Sequence, residues 1–554
     1  MLEYARKLPW KDIFLLGILL IFEVGMHPLG IGPDRRIHDP AVYRAADPSY
    51  LPGDWYTEMA VESGVYPFYA ALVNVGPAMG MPEEAWRQGL YILCLIVLYV
   101  SLIKIARLFT VNRWVVPLIV AGHMLLTLWA PLAWLYGPFI QIDGGLAPRS
   151  VGVALSFLAL YFLLIGERLL PWFLLGVATL IHVSNSLIVF GLFLGAWSFW
   201  SWLTRAREQK FWSPFLVQCC TASLVYLVSG GWFAFLLAWQ GSGLTHFSVD
   251  KFIWTWIYFR APYMALPSIS WRAWAAFLLH LTVLLSAWYW LRQYWLQEKR
   301  PLLDLLGWVG VGSVGLFFLF YFFTFVFPWL PGFQFYSLRV IYFMHFVAYL
   351  FMALLGLALL GRLQEQFHLS GRLMGGIVLL GVIILGFSDP GHYVLERSYR
   401  NLSASWARIQ DLRNPMGPPS SEEAVARHIF LHPEPFLAPP DWYGSPAYLP
   451  HVASFKTFGF TPQGLEEWYT RINDVSSGEL ERRYQAQKRQ GAFEPVKIMW
   501  GEVYPKLSQA DIRKLAKQYH FRLLVTYREQ VYDFPLLVED SRYRLYQVNP
   551  ELSP

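Results

Sequence analysis

The residue types best suited to chemistry gather between residues 31 and 87. Pro33-Asp34-Arg35-Arg36-Ile37-His38-Asp39-Pro40 is followed by Asp47-Pro48 and then by Gly53-Asp54-Trp55-Tyr56-Thr57-Glu58. With Arg44, these segments hold five acids, a histidine and three arginines. A carboxylate held just outside a bilayer can take the proton of an acceptor hydroxyl, and several together can hold a divalent cation. Asp39 and Asp54 are the candidate bases, and no metal is fixed by the residues alone. The competing reading is a solvated loop, because Asp47-Pro48 and Gly53-Asp54 are both turn-forming dipeptides.

Other candidates lie further along. Arg149, Arg260 and Arg339 could hold a phosphate or diphosphate, since a guanidinium makes bidentate contacts to phosphate oxygens. Tyr263 closes the run Arg260-Ala261-Pro262-Tyr263, Lys456 sits in the aromatic stretch Phe455–Phe460, and His182 interrupts a long apolar run. Each joins the candidate substrate-binding set, and each has a plainer role. Arg149 and Arg339 could snorkel to an interface, Arg260 could belong to a turn, and His182 could be a polar group satisfied between helices. Tyrosine and tryptophan can stack on sugar faces, but aromatic belts occur in any membrane protein and discriminate little.

These residues need elements to position them, and the composition says which. The chain has 554 residues, of which 56% are hydrophobic and only 15% charged. A soluble protein would carry about a quarter charged residues. The class is therefore an α-helical polytopic membrane protein. Apolar runs of about 18 residues or more mark candidate spans. They fall near 12–30, 88–108, 114–135, 149–166, 170–186, 187–204, 213–240, 272–292, 304–328, 337–361 and 373–390, about eleven in all. The pair flanking His182-Val183-Ser184-Asn185 is the least distinct. The spans carry almost no charge, with His182 as the main exception.

Basic residues collect before the first span and at Lys104, Arg107 and Arg113, at Arg205, Arg207 and Lys210, at Arg292, Lys299 and Arg300, and at Arg362 and Arg372. The positive-inside rule places those loops in the cytoplasm. The long loop 31–87, the later loops bearing Arg149 and Arg260, and the C-terminus are then expected outside. The net charge of +6 is a topology signal, and no nucleic-acid partner is expected. The basic N-terminus reads as an uncleaved first span. The three cysteines, Cys94, Cys219 and Cys220, lie in apolar runs and have no metal-site spacing.

Near residue 391 the apolar runs stop and prolines cluster. Residues 1–390 are expected to form the transmembrane domain, and 391–554 a small α/β domain outside the membrane. Within it, Ser508–Tyr519 predicts a helix with Ser508 as N-cap, and 521–527 and 543–548 predict strands.

No P-loop, GxSxG, HExxH, CxxC or Rossmann glycine motif occurs, which argues against a nucleotide-driven pump, a serine hydrolase and a zincin. The layout resembles the C-type glycosyltransferases, the GT-C superfamily of polyprenyl-phosphate-dependent membrane enzymes. More narrowly, it is similar to a bacterial multi-pass family within that group. The likeness is carried by Asp47-Pro48-Ser49-Tyr50-Leu51-Pro52-Gly53-Asp54-Trp55, by Arg260-Ala261-Pro262-Tyr263 with Leu266-Pro267-Ser268, and by 455–460 with Glu467-Trp468-Tyr469-Thr470-Arg471. The superfamily often has adjacent acids in the first outer loop, where this chain separates Asp34, Asp39 and Asp47. The resemblance implies inverting transfer of a sugar from a polyprenyl-phosphate lipid in the bacterial inner membrane, with a periplasmic C-terminal domain. Asp39 or Asp54 would be the base, and Arg260 and Arg339 would hold the lipid phosphate. Two rivals stay open: a non-catalytic subunit with protein partners in a membrane complex, and a transporter or flippase of a lipid-linked substrate.

Overall fold

The computed structural model describes residues 9–26, 33–50, 54–62, 64, 66–110, 115, 116, 119, 146–205, 212–240, 248–256, 271–295, 297–329, 340–366, 424–432, 434–439, 462–490 and 501–548. The chain is mostly helical and forms two compact units. One comprises Met1–Gly32, Glu84–Leu236 and Ile269–Leu412, and the other Pro33–Glu83, Leu237–Ser268 and Arg413–Pro554.

Among the described residues of the first unit, five helices are long and apolar enough to cross a membrane: Glu83–Phe109, Val183–Thr204, Trp212–Leu237, Gln297–Val326 and Tyr342–Arg362. Pro148–Leu164 and Leu170–Ile181 are shorter apolar helices. The expected spans at 114–135 and 373–390 lie largely or wholly outside the described residues. Apolar side chains on the outer faces stay exposed, Val228 at 75% and Leu224 at 62%, as a surface in contact with lipid requires.

The doubtful division at His182 is a real break. His182 has φ −143° and ψ 85°, outside helical space, and separates Leu170–Ile181 from Val183–Arg205. Its ring replaces what the backbone loses. Asn185 N donates to His182 Nδ1 at 3.4 Å, so the histidine caps the helix that follows it. Gly176 and Gly230 let the Leu170–Ile181 helix lie against the 227–231 segment. A Cβ on Gly230 would stand 2.2 Å from the Gly176 carbonyl oxygen, so only glycine permits that approach.

In the second unit, the stretch from residue 33 to 78 is built of helices where the sequence suggests turns. Pro33–Ala46, Trp55–Glu62 and Pro67–Ala78 are helical. The turn residues end or start these helices. Ser49 donates its amide and hydroxyl to Asp47 Oδ1 at 2.8 and 2.6 Å, which closes the first helix with an Asx turn. Those hydrogen bonds hold the Asp47 carboxyl below its ordinary range.

The same unit contains a four-stranded sheet: β1 (Phe436–Leu437), β2 (Leu523–Tyr527), β3 (Leu536–Glu539) and β4 (Tyr543–Gln547), in the order β1-β2-β4-β3. β1 runs parallel to β2, and the other neighbours are antiparallel, with a bulge between Leu536 and Val538. Val425 and Ile429 of the Ala424–Leu431 helix pack on Phe436, Leu523, Val525 and Leu545. The Gln509–Tyr519 helix starts with a reciprocal capping box between Ser508 and Asp511 and ends at His520 in the left-handed region, φ 55°.

Candidate functional site

Two polar centres emerge, one in each unit. The first surrounds Tyr50. Asp39 is fully buried on the Pro33–Ala46 helix, and Asp54 is 4% exposed at the start of the Trp55–Glu62 helix. Burial drives the Tyr50 phenol far above its ordinary range, and Tyr43, Asp39, Asp54 and Glu83 add to the shift. The charges of both candidate bases thus act on one phenol, as does that of Glu83. Tyr43 Oη donates to Glu83 Oε1 at 3.0 Å, and the Tyr43 and Tyr50 rings sit 5.3 Å apart.

Neighbouring contacts hold this centre. Arg44 Nη1 donates to the Tyr50 carbonyl, and Arg44 Nη2 pairs with Glu58 at 3.4 Å. Asn74 Nδ2 donates to the Val42 carbonyl at 3.1 Å, tying the Pro67–Ala78 helix to the one that carries Asp39. The His38 ring meets Tyr66 edge-on at 4.4 Å.

The two acids differ in their place on the helices. Thr57 donates its amide and its hydroxyl to Asp54 Oδ2, at 2.9 and 2.7 Å, so one oxygen of Asp54 is spent as a helix N-cap. Asp39 sits inside a helix, immediately before Pro40.

The second centre lies where three helices of the first unit begin. Pro148–Leu164 brings Arg149, Gly152 and Ser156, Val183–Arg205 brings Asn185 and Ser186, and Tyr342–Gln366 brings Tyr342. Asn185 Nδ2 donates to Tyr342 Oη at 3.5 Å, Ser156 also bonds that hydroxyl, and the Arg149 charge acts on it. None of the three helices has an acid in its first turn. Helix N-termini favour negative charge, and Arg149 adds a full positive one, so this junction suits an anion. Gly152 keeps it compact, since a Cβ there would come within 3.3 Å of His182 Cβ.

The structure thus places Asp39 and Asp54 in one unit, and Arg149, His182, Asn185 and Tyr342 in the other. Arg260, Tyr263, Arg339 and Lys456 lie outside the described residues. Among the described residues, no group of three or more histidine, cysteine, aspartate or glutamate side chains is arranged to hold a metal ion.

A third polar cluster went unread in the sequence. His280 Nε2 lies 2.8 Å from Tyr349 Oη, and the His280 and His345 rings meet edge-on at 4.7 Å. All three side chains are buried, between the Trp271–Trp290 and Tyr342–Gln366 helices. The statement that His182 is the main polar exception in the spans therefore needs correction. The signal was available, because each of these histidines interrupts an apolar run as His182 does.

No family model matches the chain, and no curated protein matches it. Among solved structures, the chain is similar to ArnT from Cupriavidus metallidurans bound to undecaprenyl phosphate, at 16% identity and a TM-score of 0.44, covering 97% of this chain and 98% of that one. The apo form of the same protein matches at 15% identity and a TM-score of 0.38, covering 97% of each chain. Scores at that level say nothing of what individual residues of this chain do.

Proposed function

We propose that this chain is a GT-C-like membrane glycosyltransferase that moves a sugar from a polyprenyl-phosphate donor to an acceptor on the outer side of the cytoplasmic membrane. The observation that supports it best is the burial of two carboxylates, Asp39 and Asp54, on and beside two successive helices of one unit. A carboxylate in such a setting can take the acceptor's proton as the hydroxyl attacks the anomeric carbon and the lipid phosphate leaves. Asp39 is the proposed base, and Asp54 is proposed as a structural contact, since it caps the Trp55–Glu62 helix.

The leaving phosphate needs positive charge. Arg149, Arg260 and Arg339 are its proposed ligands. Tyr263, His182 and Lys456 complete the proposed substrate contacts. In this reading the eleven spans, the periplasmic α/β domain and the inner-membrane location stand as the sequence predicts them, with possible partners in a membrane complex.

The test is transfer from a radiolabelled polyprenyl-phosphate sugar by the purified protein in lipid nanodiscs. Asp39→Asn should lower turnover by roughly 10²–10⁴-fold while the protein still folds and inserts. Full activity in both Asp39→Asn and Asp54→Asn would remove the first outer stretch from the catalytic centre. One rival has a specific observation in its favour. The buried His280–His345–Tyr349 cluster is what a transporter of a lipid-linked substrate would place within its spans. Uptake of a labelled lipid-linked sugar into proteoliposomes, without transfer, would favour that rival.

A further inference from the structure

The Pro462–Val475 and Glu479–Gln490 helices reach two separate segments of the second unit, each through a cation, aromatic rings and a carboxylate. At the first contact, the Arg471 guanidinium lies over the Trp55 ring at 5.0 Å and over the Tyr519 ring at 4.7 Å, and Arg471 Nε pairs with Glu467 at 2.6 Å. Tyr519 in turn donates to Asp474. At the second, Lys251 Nζ pairs with Glu481 at 2.8 Å and lies over the Tyr469 ring at 4.4 Å. Tyr469 Oη donates to the same Glu481 oxygen at 2.6 Å, and the Trp254 and Tyr484 rings meet edge-on at 4.3 Å.

The turn between the two helices fixes their spacing. Ser477 and Gly478 both have positive φ, 51° and 81°, and Glu481 N donates to Asn473 Oδ1 at 2.9 Å. Glu467 and Arg471 are one helical turn apart on the first helix, which keeps the guanidinium plane against its rings. The two contacts draw on different cations and different segments.

Trp55 is the first residue of the helix that Asp54 caps. A guanidinium stacked on that indole restrains the helix start, and with it the Asp54 carboxylate. We propose that Arg471 is a positioning residue: through Trp55 it fixes the first turn of the Trp55–Glu62 helix and so the acid centre around Tyr50, while Lys251 and Glu481 independently fix the Val249–Trp254 helix. The helical pair 462–490 is then a bracket that holds the Trp55–Glu62 and Val249–Trp254 helices within the second unit. Only the catalytic consequence rests on the transferase reading; the bracket itself does not.

Amide hydrogen exchange on the full-length protein in nanodiscs tests the bracket without any substrate. Arg471→Met keeps the apolar stem and removes the cation. Amides 57–62 should then exchange about tenfold faster, while those of Leu523–Tyr527 and Val249–Trp254 stay at wild-type rates. Arg471→Lys should restore only part of the protection, because an ammonium keeps the charge but not the stacking plane. Lys251→Met should show the converse pattern, loosening Val249–Trp254 alone. In a Trp55→Leu background, adding Arg471→Met should bring no further acceleration at 57–62. Unchanged exchange at 57–62 in Arg471→Met would overturn the proposal. So would an equal acceleration in Leu523–Tyr527, which would mark Arg471 as a general fold contact. In the transfer assay, Arg471→Met should lower kcat by about tenfold with KM little changed. A wild-type protein that transfers nothing would end the transferase reading and leave the exchange result to decide the bracket.

Discussion

Thr57 donates both its backbone amide and its hydroxyl to a single oxygen of Asp54. That relationship separates the two acids that the sequence left level. An N-cap needs only an oxygen acceptor, and asparagine serves as well as aspartate. Asp54→Asn should therefore keep the Trp55–Glu62 helix and most of the turnover. Asp54→Ala should lose the cap and destabilise the protein by about 1 kcal/mol. Asp39→Asn should fold normally and lose turnover. Thermal melts beside the transfer assay distinguish these cases, and an Asp54→Asn protein as inactive as Asp39→Asn would make Asp54 the base.

Acidification below the ordinary carboxylate range should release the contact at Glu481. Burial opposes ionisation of this carboxyl, but hydrogen bonds from Lys251, Tyr469 and Gln485 outweigh it and hold it below its ordinary range. A depressed carboxyl stabilises the fold above the unfolded-state value of 4.5 and loses that contribution as pH falls through the lower folded value. Exchange at Val249–Trp254 should accordingly be flat from pH 7 to about 5 after correction for intrinsic rates. It should rise below about pH 4.5, and Glu481→Gln should abolish the step.

Asp12 and Arg107 form a buried ion pair in the first unit, with Asp12 only 1% exposed. Removing one partner takes this counter-charge from a group held away from water. Asp12→Asn or Arg107→Met should each cost about 3–5 kcal/mol. The double variant Asp12→Leu with Arg107→Met should cost much less than the sum of the single changes, because no charge is stranded. Melting temperatures of the set in one detergent decide it, and additive losses would show that the pair is not coupled.

What the sequence disclosed follows from which features are local. The N-cap at Ser508 and the two strands near 523 and 543 depend on residues within a few positions of one another and appear as expected, and the least distinct division, at His182, is a break. The helices inside the stretch 33–78 were hidden because their caps, Asp47-Pro48 and Gly53-Asp54, read equally well as turns. The joint action of Asp39, Asp54 and Glu83 on Tyr50 was hidden for another reason. It depends on the Pro33–Ala46 and Pro67–Ala78 helices packing together, which no spacing within one segment encodes. The same holds for Arg471 over Trp55, more than four hundred positions apart in the chain.

The short contact between His280 and Tyr349 separates a structural role from a functional one for the buried histidines. Tyr349→Phe deletes the hydroxyl and leaves His280 Nε2 without this partner in an apolar setting. The expected cost is about 1–3 kcal/mol of stability, the desolvation penalty of a deprived buried group. His280→Phe combined with Tyr349→Phe removes both sides of the bond and should recover part of that loss. If the cluster only packs the Trp271–Trp290 helix against Tyr342–Gln366, both variants should transfer sugar at the wild-type rate at temperatures below their melting points. A variant that melts normally yet abolishes uptake of a lipid-linked substrate into proteoliposomes would instead assign the histidines to transport, and the transferase reading would give way to that rival.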